Sequence, residues 1–277
     1  PGATLSGTTT LNASNGVATF SGLSVDKVGS GYQLNAASTG LTGTASSAFA
    51  ITPGAPAQLV FTAQPQNGTA NVNLGAVQVA VQDAAGNVVT SDANTVTMTV
   101  ASGPGGFDPS STTTVAFANG IATFSNLILN TAGSYTLQAS DAADAGGLIT
   151  VSNSFTIAPG QPSKLIFTAQ PGDVTRGNAL ATVTVTEYDA GNNVIPDNTT
   201  SVDFVVAACG GSVDLGSAPM SNGVATLTST QRFYTVANGL SITANDTAAG
   251  LTQISAQFGV LANADLLFSD GFDGCRP

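Results

Sequence analysis

The chain has 277 residues, with five Lys and Arg against sixteen Asp and Glu and no His, for a formal net charge of -11. That balance excludes nucleic acid and anionic membrane as partners, since both demand a basic patch. The missing His removes imidazole acid–base chemistry and the usual His-containing zinc sites, and no apolar run approaches the roughly 20 residues of a spanning helix, so no membrane insertion is expected.

The elements are short alternating strands separated by turn residues. In the first fifty residues, Val17 to Phe20 follow an Asn15-Gly16 turn, and Gly31-Tyr32-Gln33-Leu34 and Phe49-Ala50-Ile51 carry further strands. Leu59 and Phe61 alternate with Val60 and Thr62 before Pro65-Gln66-Asn67-Gly68 breaks the strand. Val77, Val79 and Val81 follow with period two and end at the polar turn Asp83-Ala84-Ala85-Gly86-Asn87. Val96, Met98 and Val100 form another strand, and Val115 and Phe117 lead into Asn119-Gly120, from which Ile121 to Phe124 return. Asn-Gly supplies the positive φ that a tight hairpin needs. Leu127, Leu129, Tyr135, Leu137 and Ala139 carry the next strands, and Phe155 with Ile157 closes the series.

These phrases repeat. Asn15 to Phe20 returns at Asn119 to Phe124 and again at Asn222 to Leu227, and Phe49 through Pro65 returns as Phe155 through Pro171. The chain is therefore a tandem array with a unit of about one hundred residues, large enough to bury its own core. Each full unit holds about seven or eight one-sided strands and no helical stretch, which predicts two packed antiparallel sheets. Boundaries fall at Thr52 to Pro56 and Ala158 to Pro162, where paired prolines predict short semi-rigid hinges and an elongated array. The division is a partial unit over 1–53, comprising its C-terminal half, a complete domain over 54–159, a divergent one over 160–265 and a tail over 266–277.

The strand Gly133-Ser134-Tyr135-Thr136-Leu137 has counterparts at Gly31 to Leu34 and Gly239 to Ile242. A Tyr two residues before an inward position is the tyrosine corner of an immunoglobulin-type sandwich, with Leu34, Leu137 and Ile242 in the core position. The fold class is thus all-β, as tandem immunoglobulin-like β-sandwiches. Lys164 to Pro171, Asp83 to Asn87 and Asn119 to Phe124 resemble the tandem immunoglobulin-like repeats of large bacterial secreted and surface proteins, broadly the invasin/intimin-like group. The resemblance covers almost the whole chain and implies a spacer or stalk, with binding sites in some relatives. The third unit departs from the pattern in Glu187, in Cys209-Gly210-Gly211 and in Leu240 at the Tyr position. Leu266 to Pro277 also looks like the short Asp-Gly-Phe tails of exported proteins of Gram-negative bacteria.

The ends do not match. The opening strands of the first unit are missing, and Ala264 to Phe268 echoes Ala57 to Phe61, the first strand of a fresh unit. With Pro1 first and no leader, the chain reads as a processed product or fragment. The alternatives are completion of the half-unit by a neighbouring copy through strand addition, or a smaller independent arrangement of 1–52.

Candidate chemistry is sparse. Asp141 with Asp144, and Asp270 with Asp273, are the close acid pairs, but both lie in turns where Asp bonds its own backbone, so no enzyme activity is expected. Calcium is the cation that oxygen-rich loops would take, and the expected sets are Asp83, Asn87 and Asp92, then Asp189, Asn192 and Asp197, then Asp270 and Asp273. Cys209 and Cys275 are the disulfide candidates, a bridge that would tie the tail to the third unit. An isopeptide clamp at Lys164 is disfavoured because Leu165 and Phe167 take the inward face. Function therefore reads as a non-enzymatic spacer segment of an exported, secreted or cell-surface protein. The alternatives are an adhesin-type module recognising glycan or protein through the loops Cys209 to Asp214 and Arg232 to Tyr234, and an accessory region of a larger secreted enzyme.

Overall fold

A computed structural model describes residues 2–144, 146–208 and 211–262. These residues are strands, bridges and turns with no helix, so there is no helix long and apolar enough to cross a membrane among them. Cys209, Cys275, Asp270 and Asp273 lie outside the described residues. The chain forms two compact units, one holding the first repeat and most of the second, the other holding the third sandwich with the short stretches Thr69–Asn71 and Asn130–Ala132.

The sandwich of the first unit pairs Gln58–Ala63, Val77–Gln82 and Ile121–Phe124 in one sheet. Its facing sheet runs Thr114–Ala116, Thr95–Ser102, Gly133–Asp141, Phe155–Ala158 and Gly68–Thr69, with Leu148–Val151 added on Gly133–Asp141. Period-two alternation buries Leu59, Phe61, Val77, Val79, Val96, Met98 and Leu137. Each such side chain stabilises the fold by about 1.5–3 kcal/mol relative to exposure. Tyr135 is buried and stacks on Phe155 with centroids 6.0 Å apart.

The Asn-Gly turns take the conformation their sequence requires. Asn119 and Gly120 have φ of 51° and 75°, Asn15 and Gly16 have 52° and 78°, and Asn222 and Gly223 have 49° and 78°. Ala118 and Ile121 exchange both backbone hydrogen bonds across the Asn119-Gly120 turn, at 3.0 and 3.1 Å. The two arms then part: Thr114–Ala116 joins Thr95–Ser102 whereas Ile121–Phe124 joins Val77–Gln82. The hairpin therefore carries the chain from one sheet to the other. In the third repeat the same passage is made by one continuous strand, Gly211–Ser221, which pairs with both Ser201–Ala208 and Val224–Leu227.

That continuity merges the main strands of the third sandwich into a seven-stranded sheet, opposite a three-stranded sheet of Val174–Thr175, Phe258–Leu261 and Ala237–Leu240. Its core gathers Leu165, Phe167, Val183, Val185, Phe204, Met220, Ile242 and Val260, with Leu240 packed against it. Leu165 and Phe167 face inward as expected, and Lys164 is half-buried and donates to Asn192 Oδ1.

Residues 2–53 are built differently. Their strands make three two-stranded ribbons, Leu5–Ser6 with Ser24–Val25, Gly29–Tyr32 with Phe49–Ile51, and Asn35–Ala36 with Thr44–Ala45. None of these residues is buried. Leu34, expected in a core position, is half-buried, because no facing sheet covers it within this stretch. Leu5, Phe20, Leu23, Val25, Leu34 and Phe49 instead line a cleft of about 530 Å³. The corner hydrogen bond is present here: the Tyr32 hydroxyl donates to Lys27 O, five residues upstream, at 3.1 Å.

A Cβ at Gly120 would lie 2.7 Å from both Val88 Cγ1 and Val89 O, whereas one at Gly86, also at positive φ (81°), would meet nothing within 4 Å. We expect Gly120→Ala to destabilise by about 2–4 kcal/mol, combining strained backbone with overlap. Gly86→Asn should cost less than about 1 kcal/mol, since Asn tolerates this region. Denaturant unfolding of both variants checks the contrast, and equal losses would contradict it.

Candidate functional site

The turn after the second strand is where polar side chains converge in each complete sandwich. Asp83 is 5% exposed, and every hydrogen bond its carboxylate makes here comes from an N–H donor. Oδ1 accepts from Ala85 N at 2.9 Å and Asn87 N at 2.8 Å, Oδ2 accepts from Gly54 N at 2.9 Å, and Asn87 Nδ2 donates to both oxygens. The Asn87 side chain, then the Gly54 and Asn87 backbone N–H groups, hold this carboxyl down at about 2. Asn87 also reaches the first repeat, donating from Nδ2 to Asp26 O at 3.0 Å and accepting at Oδ1 from Val28 N at 3.2 Å.

The third sandwich repeats this arrangement. Asp189 Oδ2 accepts from Gly160 N at 2.7 Å and Asn193 Nδ2 at 2.8 Å, and Oδ1 accepts from Asn193 N at 2.8 Å. Burial pushes the Asp189 carboxyl up, but the hydrogen bonds from Gly160 and Asn193 outweigh it and leave it below the ordinary value. Asn193 Nδ2 donates to Asn130 O, and its Oδ1 accepts from Ala132 N, within the same compact unit. The Asn87 role therefore falls to Asn193, four residues after the aspartate, and not to Asn192. Asn192, with φ of 64°, instead takes the positive-φ place of Gly86 and meets Lys164.

In these turns the carboxylates of the expected cation sets are engaged by hydrogen-bond donors of the chain itself. Asp83 and Asn87 saturate each other, and Asp92 sits elsewhere. Asp197 accepts from Thr199 N at 2.8 Å and Thr199 Oγ1 at 2.7 Å, and from both the backbone and the hydroxyl of Thr200. The Thr200 and Thr199 hydroxyls hold its carboxyl at about 2.

Asp92 is grouped instead with Asp141 and Asp144: one carboxylate oxygen of each lies within 4.8 Å of the others. Asp141, at the end of strand Gly133–Asp141, is fully buried, while Asp144 is half-buried. Each uses Oδ1 locally: Asp92 accepts from Asn94 N at 2.8 Å, Asp141 from Ala143 N at 2.9 Å, and Asp144 from Asn94 Nδ2 at 3.1 Å. The Oδ2 atoms of all three are buried with no hydrogen-bond donor. Burial first, then the charges of Asp92 and Asp141, push the Asp144 carboxyl up to about 6. Two carboxylates at this separation repel by about 3–4 kcal/mol at an effective dielectric constant of 20. The sequence marked Asp141 and Asp144 as a pair; it held no signal joining them to Asp92, because that link depends on the pairing of Thr95–Ser102 with Gly133–Asp141, beside which the Asn94 side chain reaches Asp144, 50 residues on.

No protein-family profile matches the chain, and no curated protein does. Among solved structures, the D0-D1 domain of intimin is similar at 16% identity over 74% of this chain and 98% of that one, with a TM-score of 0.27. Protocadherin gammaB7 EC3-6 is similar at 13% identity over 81% of this chain, which spans 55% of that one, with a TM-score of 0.38. The FN1-FN3 domains of chicken CNTN1 are similar at 10% identity over 76% of this chain and 67% of that one, with a TM-score of 0.38. All three scores are low, so the likenesses assign neither family nor function.

Because Asp83 is held below the ordinary carboxyl value of 3.8, its contribution to stability is complete above pH 3.8 and is lost as pH falls towards 2. We expect Asp83→Asn to lower the thermal midpoint at pH 7 and to flatten the acid limb between about pH 4 and 2. Melting curves across that range check this, and an unchanged acid limb would contradict it.

Proposed function

We propose that this chain is a non-catalytic repeat segment of an exported bacterial surface or secreted protein, and that it spaces or displays other parts of that protein. The observation that carries the reading is the repeated turn: Asp83 and Asp189 each accept from the backbone of the junction preceding their own sandwich, at Gly54 and Gly160. A catalytic centre would use such carboxylates on substrate, whereas here they are consumed in fixing backbone. Hydrogen bonds to a charged acceptor are stronger than neutral ones, and the flanking prolines add stiffness. Both hold the local backbone at Gly54 and Gly160, as suits a spacer. The net charge of -11 and the mix of Thr, Ser, Asn and Gly suit an extracellular surface.

A binding role has one specific observation in its favour. Tyr234 is 62% exposed and Val236 51% exposed in a loop of the third repeat, beside Arg232, whose side chain donates to Gly177 O at 2.7 Å. An exposed aromatic next to a cation is the kind of surface that recognises glycan or protein.

Small-angle scattering of the full chain and of Asp83→Ala/Asp189→Ala tests the spacer reading. A narrow distance distribution that broadens in the double variant is expected, and an unchanged distribution would argue against the turns as stiffeners. A glycan array probed with the wild type should be blank; binding that disappears in Tyr234→Ala would replace the spacer by the binding module.

A further inference from the structure

We propose that Asp92, Asp141 and Asp144 form a divalent-cation site of the calcium class in the second repeat. This goes beyond the spacer reading and does not depend on it.

The geometry sets the chemistry. One oxygen from each carboxylate falls within 4.8 Å of the others, which is the spread of oxygens around a single ion bound at roughly 2.3–2.6 Å. The local hydrogen bonds orient the three side chains and occupy Oδ1 in each case. What remains is a set of three Oδ2 atoms, all buried and all without a donor. Asp141 is the decisive member, because it is 0% exposed and its Oδ2 has neither solvent nor N–H to face. A buried carboxylate oxygen without a donor is costly, and a cation is the partner that satisfies several at once. Hard carboxylate oxygens with no His in the chain suit calcium or magnesium, with manganese the transition metal that shares this preference. Three ligands from one strand end and two turns suit the flexible coordination of calcium better than the strict octahedron of magnesium.

The third sandwich provides an internal comparison. Asp246 there corresponds to Asp141 as the last residue of its strand, Ile242–Asp246. Ala249 stands where Asp144 would be, and the Thr200 hydroxyl meets both Asp197 Oδ2 and Asp246 Oδ2. At that corner a neutral hydroxyl serves Asp197 and Asp246, and the carboxyl of the third acid there, Glu187, is raised by burial and by those two charges. In the second repeat no hydroxyl reaches the Oδ2 atoms of the three carboxylates.

The test is isothermal titration of the chelator-stripped 277-residue chain with calcium, and separately with magnesium, up to roughly 10 mM. One calcium per chain is expected, with a Kd of about 10⁻⁴–10⁻³ M as in extracellular modules, and magnesium at least about tenfold weaker. Asp144→Asn, a near-isosteric change at a half-buried position, should abolish uptake, as should Asp141→Asn. Asp197→Asn, in the third repeat, should retain it. Circular dichroism confirms that each variant is folded, and if Asp141→Asn is not, Asp144→Asn decides alone. No uptake by the wild type, uptake indifferent to Asp144→Asn, or magnesium binding as tight as calcium would each overturn the proposal. Absent uptake together with a raised thermal midpoint in Asp144→Asn would assign the cluster to a shared proton.

Discussion

A buried aspartate that begins a tight turn and accepts hydrogen bonds from the backbone on both sides of it is the constraint on which the repeat depends. Asp83 and Asp189 each bind the N–H of the residue four positions on, the side-chain amide of that residue, and the N–H of a junction glycine 29 residues earlier. A carboxylate placed so deeply needs those donors, since losing one would leave charge stranded in a poor solvent. Turn, sheet edge and junction are therefore coupled through one side chain. The Asn that completes the turn extends the coupling, reaching Asp26 and Val28 in one unit and Asn130 and Ala132 in the other.

Two sandwiches built on this plan differ where charge is concentrated. In the second repeat, three carboxylates meet where the strand Gly133–Asp141 ends, and their buried Oδ2 atoms have no donor. In the third, Thr199 and Thr200 bring hydroxyls to Asp197, and Glu187 enters from the neighbouring strand. Burial, and then Asp246 and Asp197, raise the Glu187 carboxyl. The cores meanwhile remain equivalent, with Leu59 and Phe61 answered by Leu165 and Phe167. Packing tolerates few changes of volume or polarity, while loop ends accept new charge wherever solvent or a counter-charge can balance it.

The most readable features were those decided by neighbours in sequence. Alternation announced the inward faces of Gln58–Ala63 and Lys164–Ala169, and Asn-Gly announced three turns with two positive φ angles each. Less readable was the fate of the two arms of the Asn119-Gly120 turn, which enter different sheets while the corresponding strand Gly211–Ser221 stays continuous. Both outcomes satisfy the same period-two pattern, so the pattern does not choose between them. The sequence also offers two adjacent Asn residues after Asp189: the turn closes over four residues, so Asn193 bonds the carboxylate while Asn192 serves at the positive-φ step.

By itself the sequence determined the class of structure: tandem β-sandwiches of about one hundred residues, with their turns, their inward faces and their acidic, His-free surface. Tertiary structure alone decided which carboxylates meet. Asp83 and Asp92 are nine residues apart and end in different environments, one saturated by N–H donors and the other facing Asp141 and Asp144. The reason is that a side chain's local period fixes its face of a sheet, whereas the partners of a loop end depend on the register and pairing of strands far apart in the chain. In this protein the pairing of Thr95–Ser102 with Gly133–Asp141 makes that choice.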